Sequence, residues 1–105
     1  MTWYEYERIQ KKLSSLKTHP YWNRAEREAF KQGILACKSA VHRYRRDNPD
    51  ECEMFPEGGG NLADIIKVLD GIEANMKYKH LKKEEREPYL AAINDCRRVV
   101  AQILC

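Results

Sequence analysis

Apolar residues recur at helical spacing in four separate stretches of this chain. In the first, Tyr6, Ile9, Leu13 and Leu16 make one stripe, and Thr2 and Glu5 stand at the spacing of a capping box. Thr18-His19-Pro20 ends that helix, because proline has no amide proton to continue the ladder. Tyr21 and Trp22 follow, placed to plug the end of a hairpin. A second helix restarts at Asn23, again with capping spacing to Glu26. It carries Phe30, Ile34, Cys37, Val41 and Tyr44 on one face. Gly33 interrupts this stripe, where glycine costs about 1 kcal/mol relative to alanine, so a close helix–helix approach is expected there.

Residues 47–61 read as a linker, with two prolines, three consecutive glycines and one apolar pair, Met54-Phe55. A third helix is expected after Asn61, with Leu62, Ile65, Leu69, Ile72 and Met76 on its core face, widened by Ile66 and Val68. It frays near Tyr78–His80. The fourth begins between Lys82 and Glu87, with Glu84, Glu85 and Glu87 favouring its N-terminal dipole and Pro88 in its first turn. Its stripe is Tyr89, Ile93, Cys96, Val100 and Ile103.

The second and fourth stretches are copies of one another at an offset of 59 residues. Glu26-Arg27-Glu28-Ala29-Phe30 reappears as Glu85-Arg86-Glu87-Pro88-Tyr89, and Ile34, Cys37 and Val41 fall on Ile93, Cys96 and Val100. Six of these sixteen aligned positions are identical, where chance gives roughly one. Gly33 falls on Ala92 and Lys38 on Arg97. The first and third helices match in apolar pattern, with Tyr6, Ile9 and Leu13 on Ile65, Val68 and Ile72. The expected architecture is therefore a single all-α domain, a four-helix bundle of two tandem helical hairpins, 1–46 and 62–105, related by an internal repeat. A pseudo-two-fold axis would bring Cys37 close to Cys96.

With 43% hydrophobic and 33% charged residues, the composition is globular rather than disordered. No apolar run approaches the ~18 residues of a membrane span. Met1-Thr2-Trp3-Tyr4-Glu5 lacks the basic-then-apolar order of a signal peptide. A reduced, cytoplasmic setting follows as the expectation, with the four cysteines as free thiols.

No catalytic constellation emerges. The cysteines and histidines lack the short ligand pairs of a zinc site, so no metal or cofactor is expected. Cys37 and Cys96 sit on core stripes, where cysteine acts as a small hydrophobe, and neither Cys52 nor Cys105 has a histidine nearby in sequence. Gly58-Gly59-Gly60-Asn61 precedes a helix but lacks the Lys-Ser/Thr pair of a phosphate loop, and Asp64 would repel phosphate. The basic cluster His42-Arg43-Tyr44-Arg45-Arg46 and the group Lys77, Lys79, His80, Lys82 and Lys83 fall at opposite ends of an antiparallel bundle. Two separated patches do not form one nucleic-acid groove, whose affinity needs several phosphate contacts on one surface. Trp3, Tyr4, Tyr21 and Trp22 fit either interface anchors or caps on the ends of the core.

The pattern Glu-Arg-Glu-x-Phe/Tyr-x-x-Gly/Ala-Ile-x-x-Cys-Lys/Arg, at 26–38 and 85–97, resembles helices in small accessory proteins of bacteriophages and prophages. The resemblance implies a small cytoplasmic protein whose work is binding, in the manner of anti-CRISPR and other counter-defence proteins that occlude a host complex. The expected function is thus non-enzymatic inhibition or modulation of a larger host protein or nucleoprotein complex. Candidate partner contacts are Arg43, Arg45 and Arg46, the pair Met54 and Phe55, and the turn at Tyr21 and Trp22. Two alternatives stand beside it: nucleic-acid binding by the basic groups, and a small-ligand sponge with a pocket between hairpins. A monomer or a small homo-oligomer is expected, the latter through a second stripe at Ile66 and Leu104.

Overall fold

The computed structural model describes residues 3–47, 59–75 and 81–104. They form four helices: α1 (Trp3–Ser15), α2 (Arg24–Asp47), α3 (Gly59–Asn75) and α4 (Lys83–Leu104). The helices pack on one another as an all-α four-helix bundle. The expected contacts Met54 and Phe55 lie outside the described residues. So do Thr2 with its capping box, Met76, Tyr78–His80, Lys77 and Lys79, and the thiols Cys52 and Cys105.

Local sequence accounts for most of the boundaries. Asn23 and Glu26 close the capping box of α2: the Glu26 amide donates to Asn23 Oδ1 at 2.9 Å, and the Asn23 amide to Glu26 Oε1 at 3.2 Å. Two boundaries and the place of one proline differ from expectation, while α4 begins at Lys83, within its expected range. The helix α2 continues through Asp47, and α3 begins at Gly59 rather than after Asn61. A nucleated helix extends at only the propensity cost of each added residue, about 1 kcal/mol per glycine, so two glycines do not stop it. Pro88 is the sixth residue of α4, one turn deeper than expected. It forfeits a ladder bond there, but its ring is fully buried in the core.

The centre of the bundle is the pair α2 and α4, which share the most extensive helix–helix interface among the described residues. A Cβ placed on Gly33 would lie 2.6 Å from the Cβ of Ala92 and 3.1 Å from the carbonyl oxygen of Tyr89. The backbones therefore approach more closely than any larger residue permits. One turn further along both helices, the thiols of Cys37 and Cys96 face each other closely enough to interact. Both contacts join residues 59 apart and advance in the same sense, so α2 and α4 run parallel, as diagonal members of an up-down-up-down bundle. Each flanking helix, α1 and α3, packs against both members of the pair.

The repeat is residue-for-residue only in α2 and α4. Phe30, Ile34, Cys37 and Val41 are buried, and so are their counterparts Tyr89, Ile93, Cys96 and Val100. In the flanking helices, Ile9 and Leu13 are fully buried, whereas Val68, the counterpart of Ile9, is 36% exposed. The buried pair of α3 is Ile65 and Leu69, which matches Ile9 and Leu13 at an offset of 56. Three residues is most of a turn, so both spacings satisfy a helical pattern and only packing separates them. For the same reason the α4 stripe ends on buried Leu104, with Ile103 only partly covered.

Candidate functional site

Polar contacts stitch α1 to α2 along their seam. Gln10 Nε2 donates to the Lys38 carbonyl at 3.0 Å, and Lys38 Nζ donates to Ser14 Oγ at 2.7 Å. The Tyr6 hydroxyl hydrogen-bonds His42 Nδ1 at 2.8 Å. At the end of the seam, Trp3 stacks on Tyr6 with ring centroids 5.3 Å apart. The Arg45 guanidinium lies over both rings, 4.5 Å from the Trp3 centroid and 5.6 Å from that of Tyr6.

Three open hollows adjoin along this seam and share Lys38. The first, about 650 Å³, has an apolar floor of Leu13, Leu16, Phe30, Ile34 and Leu35, with Lys17, Lys31 and Lys38 at its edge. The second, about 600 Å³, lies along Trp3, Tyr6, Gln10, Lys11 and Ser14 and includes Glu7. The third, about 420 Å³, is lined by Tyr6, Gln10, Lys38, Ser39, His42, Arg43 and Arg46. Glu7 is the single carboxylate among the described residues lining these hollows. The charge asymmetry runs through the whole chain. Residues 1–47 hold eleven Lys and Arg against five Asp and Glu, net +6, and residues 48–105 hold eight against eleven, net −3.

The repeat gives this charge a local meaning. Arg97, the counterpart of Lys38, is clamped by acids of α3. It donates to Asp70 Oδ1 through Nε at 3.1 Å and Nη2 at 2.7 Å, and it also pairs with Glu73 and with Asn94 Oδ1. Burial alone would lower the Arg97 pKa. The hydrogen bonds and charges of Glu73 and Asp70 outweigh it and hold the group above the ordinary arginine value. At the 56-residue offset that burial selects for the flanking helices, the position of Asp70 is taken in the first hairpin by Ser14, and that of Glu73 by Lys17. Lys38 therefore meets a neutral hydroxyl where Arg97 meets carboxylates.

The expected contact residues are not presented together. Arg43 and Arg46 edge the third hollow, with Arg46 Nε 3.3 Å from Asp47 Oδ1. Arg45 turns away into the Trp3–Tyr6 stack, so the three arginines do not act as one patch. Trp22 packs inward on Phe30, centroids 5.3 Å apart, with the His19 ring edge-on at 4.6 Å. Tyr21, expected to plug the hairpin, is instead 89% exposed. Lys31, Leu35 and Lys38 were not among the residues expected to meet a partner. Their spacing at i, i+4 and i+7 marks one stripe, legible only once α1 is known to stop short of it.

The core thiols form no reactive site. The interaction with the Cys37 thiol, followed by burial and the nearby charges, pushes the Cys96 pKa upward and keeps it a thiol. Among the described residues, no group of three or more His, Cys, Asp and Glu could hold a metal, and no helix is long and apolar enough to cross a membrane. No protein-family model matches the chain, and no curated protein or solved structure is significantly similar to it.

Proposed function

We propose that this is a non-enzymatic binding protein that inhibits or modulates a larger host complex by covering one of its surfaces with the α1–α2 face. It acts in the cytoplasm, without a cofactor, as a monomer or small homo-oligomer. Phage counter-defence of the anti-CRISPR kind is the setting that the sequence resemblance implies. The observation that carries the reading is the cationic excess of the seam, which the exposed pairs Lys31–Glu28 and Arg46–Asp47 offset only in part. Lys38 faces Ser14 where its repeat counterpart is clamped by acids, and Lys17, Lys31, Arg43 and Arg46 extend the charge along the same hollows. The test is capture by tagged full-length protein from nuclease-treated host lysate. A stoichiometric partner is expected, and Arg43→Glu with Arg46→Glu releases it while the fold persists. Retention of the partner by that variant counts against this face.

A second reading, nucleic-acid binding, is favoured by the convergence of Lys38, His42, Arg43 and Arg46 on one hollow. It requires affinity that falls steeply with salt, and co-eluting material that disappears on nuclease treatment would select it.

A further inference from the structure

We propose that the α1–α2 seam receives an acidic amphipathic helix of the partner protein, with apolar side chains on the Leu16–Leu35 floor and carboxylates toward Lys31, Lys38 and Arg43. The inference rests on the protein-binding reading above and names the partner element that it needs.

Three observations converge. The first is shape and length. The adjoining hollows follow α2 from Lys31 to Arg46, about 22 Å at the helical rise, which matches a helix of about four turns. They are open along one side, as a groove for a helix is, rather than closed around a small ligand. The second is polarity. The first hollow is apolar at its base, and Leu35 within it is 53% exposed. Its edge carries three lysines, with no carboxylate among the described residues that line it, and Lys31 makes only a long, exposed pair with Glu28 at 4.0 Å. That combination suits an occupant with one apolar and one anionic face.

The third observation is internal to the protein. In the second hairpin, Asp70 and Glu73, three residues apart on α3, clamp Arg97. In the first hairpin the packing-matched places are held by Ser14 and Lys17 beside Lys38. A partner carboxylate at Lys38 would supply the contact that α3 supplies to Arg97, as a charge-assisted bond. The same features favour a peptide over a nucleic acid. A strand of bases needs free aromatic faces to stack on. Here Trp3 and Tyr6 stack on each other and carry Arg45.

The test is fluorescence anisotropy of the full-length protein with a labelled acidic peptide of 18 residues. The peptide is built of Leu, Ala and Glu with Leu at i, i+3, i+4 and i+7, and a same-composition scramble and a 20-nucleotide oligo-dT serve as comparisons. Saturable binding of the amphipathic peptide but not the scramble is expected. Leu35→Lys should weaken it about tenfold by removing the apolar contact, although it adds positive charge. Lys38→Glu should weaken it comparably. Leu35 is exposed, so circular dichroism should be unchanged. Absence of peptide binding overturns the proposal. So does tighter oligo-dT binding by Leu35→Lys with the peptide unaffected, which assigns the seam to nucleic acid. A lysate partner held equally by wild type and Leu35→Lys removes the helix from the seam but leaves the protein-binding role standing. Failure of the wild type to hold any protein partner removes that role itself.

Discussion

Gly33 and Ala92 occupy equivalent places in the two copies of the repeat and face each other across the centre of the bundle, where a Cβ on Gly33 would meet that of Ala92 at 2.6 Å. Gly33→Ala gains helix propensity but forces α2 and α4 apart, and the overlap outweighs the gain. A loss of about 1–3 kcal/mol is expected. Gly71, exposed on α3 with nothing within 4 Å of a built Cβ, is the control. Gly71→Ala should stabilise by about 0.5–1 kcal/mol. Urea unfolding of both variants gives opposite signs if the central helices touch as described.

Neighbouring arginines of α2 should separate into two kinds. Arg45→Ala removes the cation from the Trp3–Tyr6 stack and should cost about 1 kcal/mol. The double variant Arg43→Glu, Arg46→Glu alters only exposed positions and should leave the urea midpoint nearly unchanged.

Why the sequence reached the fold but only part of the site follows from these same residues. Glu26 to Val41 recurs at 85–100, and that repeat places Cys37 at Cys96 without coordinates, because residues on a pseudo-axis must meet their own copies. The pairing of α1 with α3 was less legible. Offsets of 56 and 59 both place apolar residues on apolar residues, and only burial shows that Val68 looks outward. The cluster His42–Arg46 reads as one basic patch, yet successive helical residues point about 100° apart. Arg45 therefore meets α1 while Arg43 and Arg46 edge a hollow. The groove at Leu35 needed the stopping point of α1, which a periodicity does not supply.

The thiols at the centre should be inert. Peptide mapping after iodoacetamide treatment should find Cys37 and Cys96 unlabelled in the native protein and labelled after unfolding, since both are buried. The pH dependence has a definite sign. The ordinary thiol value is 9.0 and the folded Cys96 is shifted upward from it. Below that pH both states hold the proton. Above it, the unfolded chain releases a proton that the native state keeps, so stability falls as pH rises, by up to about 1.4 kcal/mol per unit. Urea unfolding at pH 8 and 10 should show this decline, and Cys96→Ala should reduce it.

Arg97→Ala leaves Asp70 and Glu73 without their clamp. Both acids are substantially exposed, so the expected loss is only about 1 kcal/mol. Arg97→Lys should recover part of it, keeping the charge but not the planar fork. A Glu73→Gln double-mutant cycle should show coupling with Arg97 that shrinks at 1 M salt.

The most direct measurement of the central claim, that the α1–α2 face is where a partner sits, is lysine acetylation footprinting of the full chain alone and in its complex. Lys17, Lys31 and Lys38 line the seam, whereas Lys67, Lys82 and Lys83 are exposed on the second hairpin. The complex is expected to protect the first three and to leave the other three as reactive as in the free protein. Protection of Lys67, Lys82 or Lys83 with the seam lysines still reactive would contradict it.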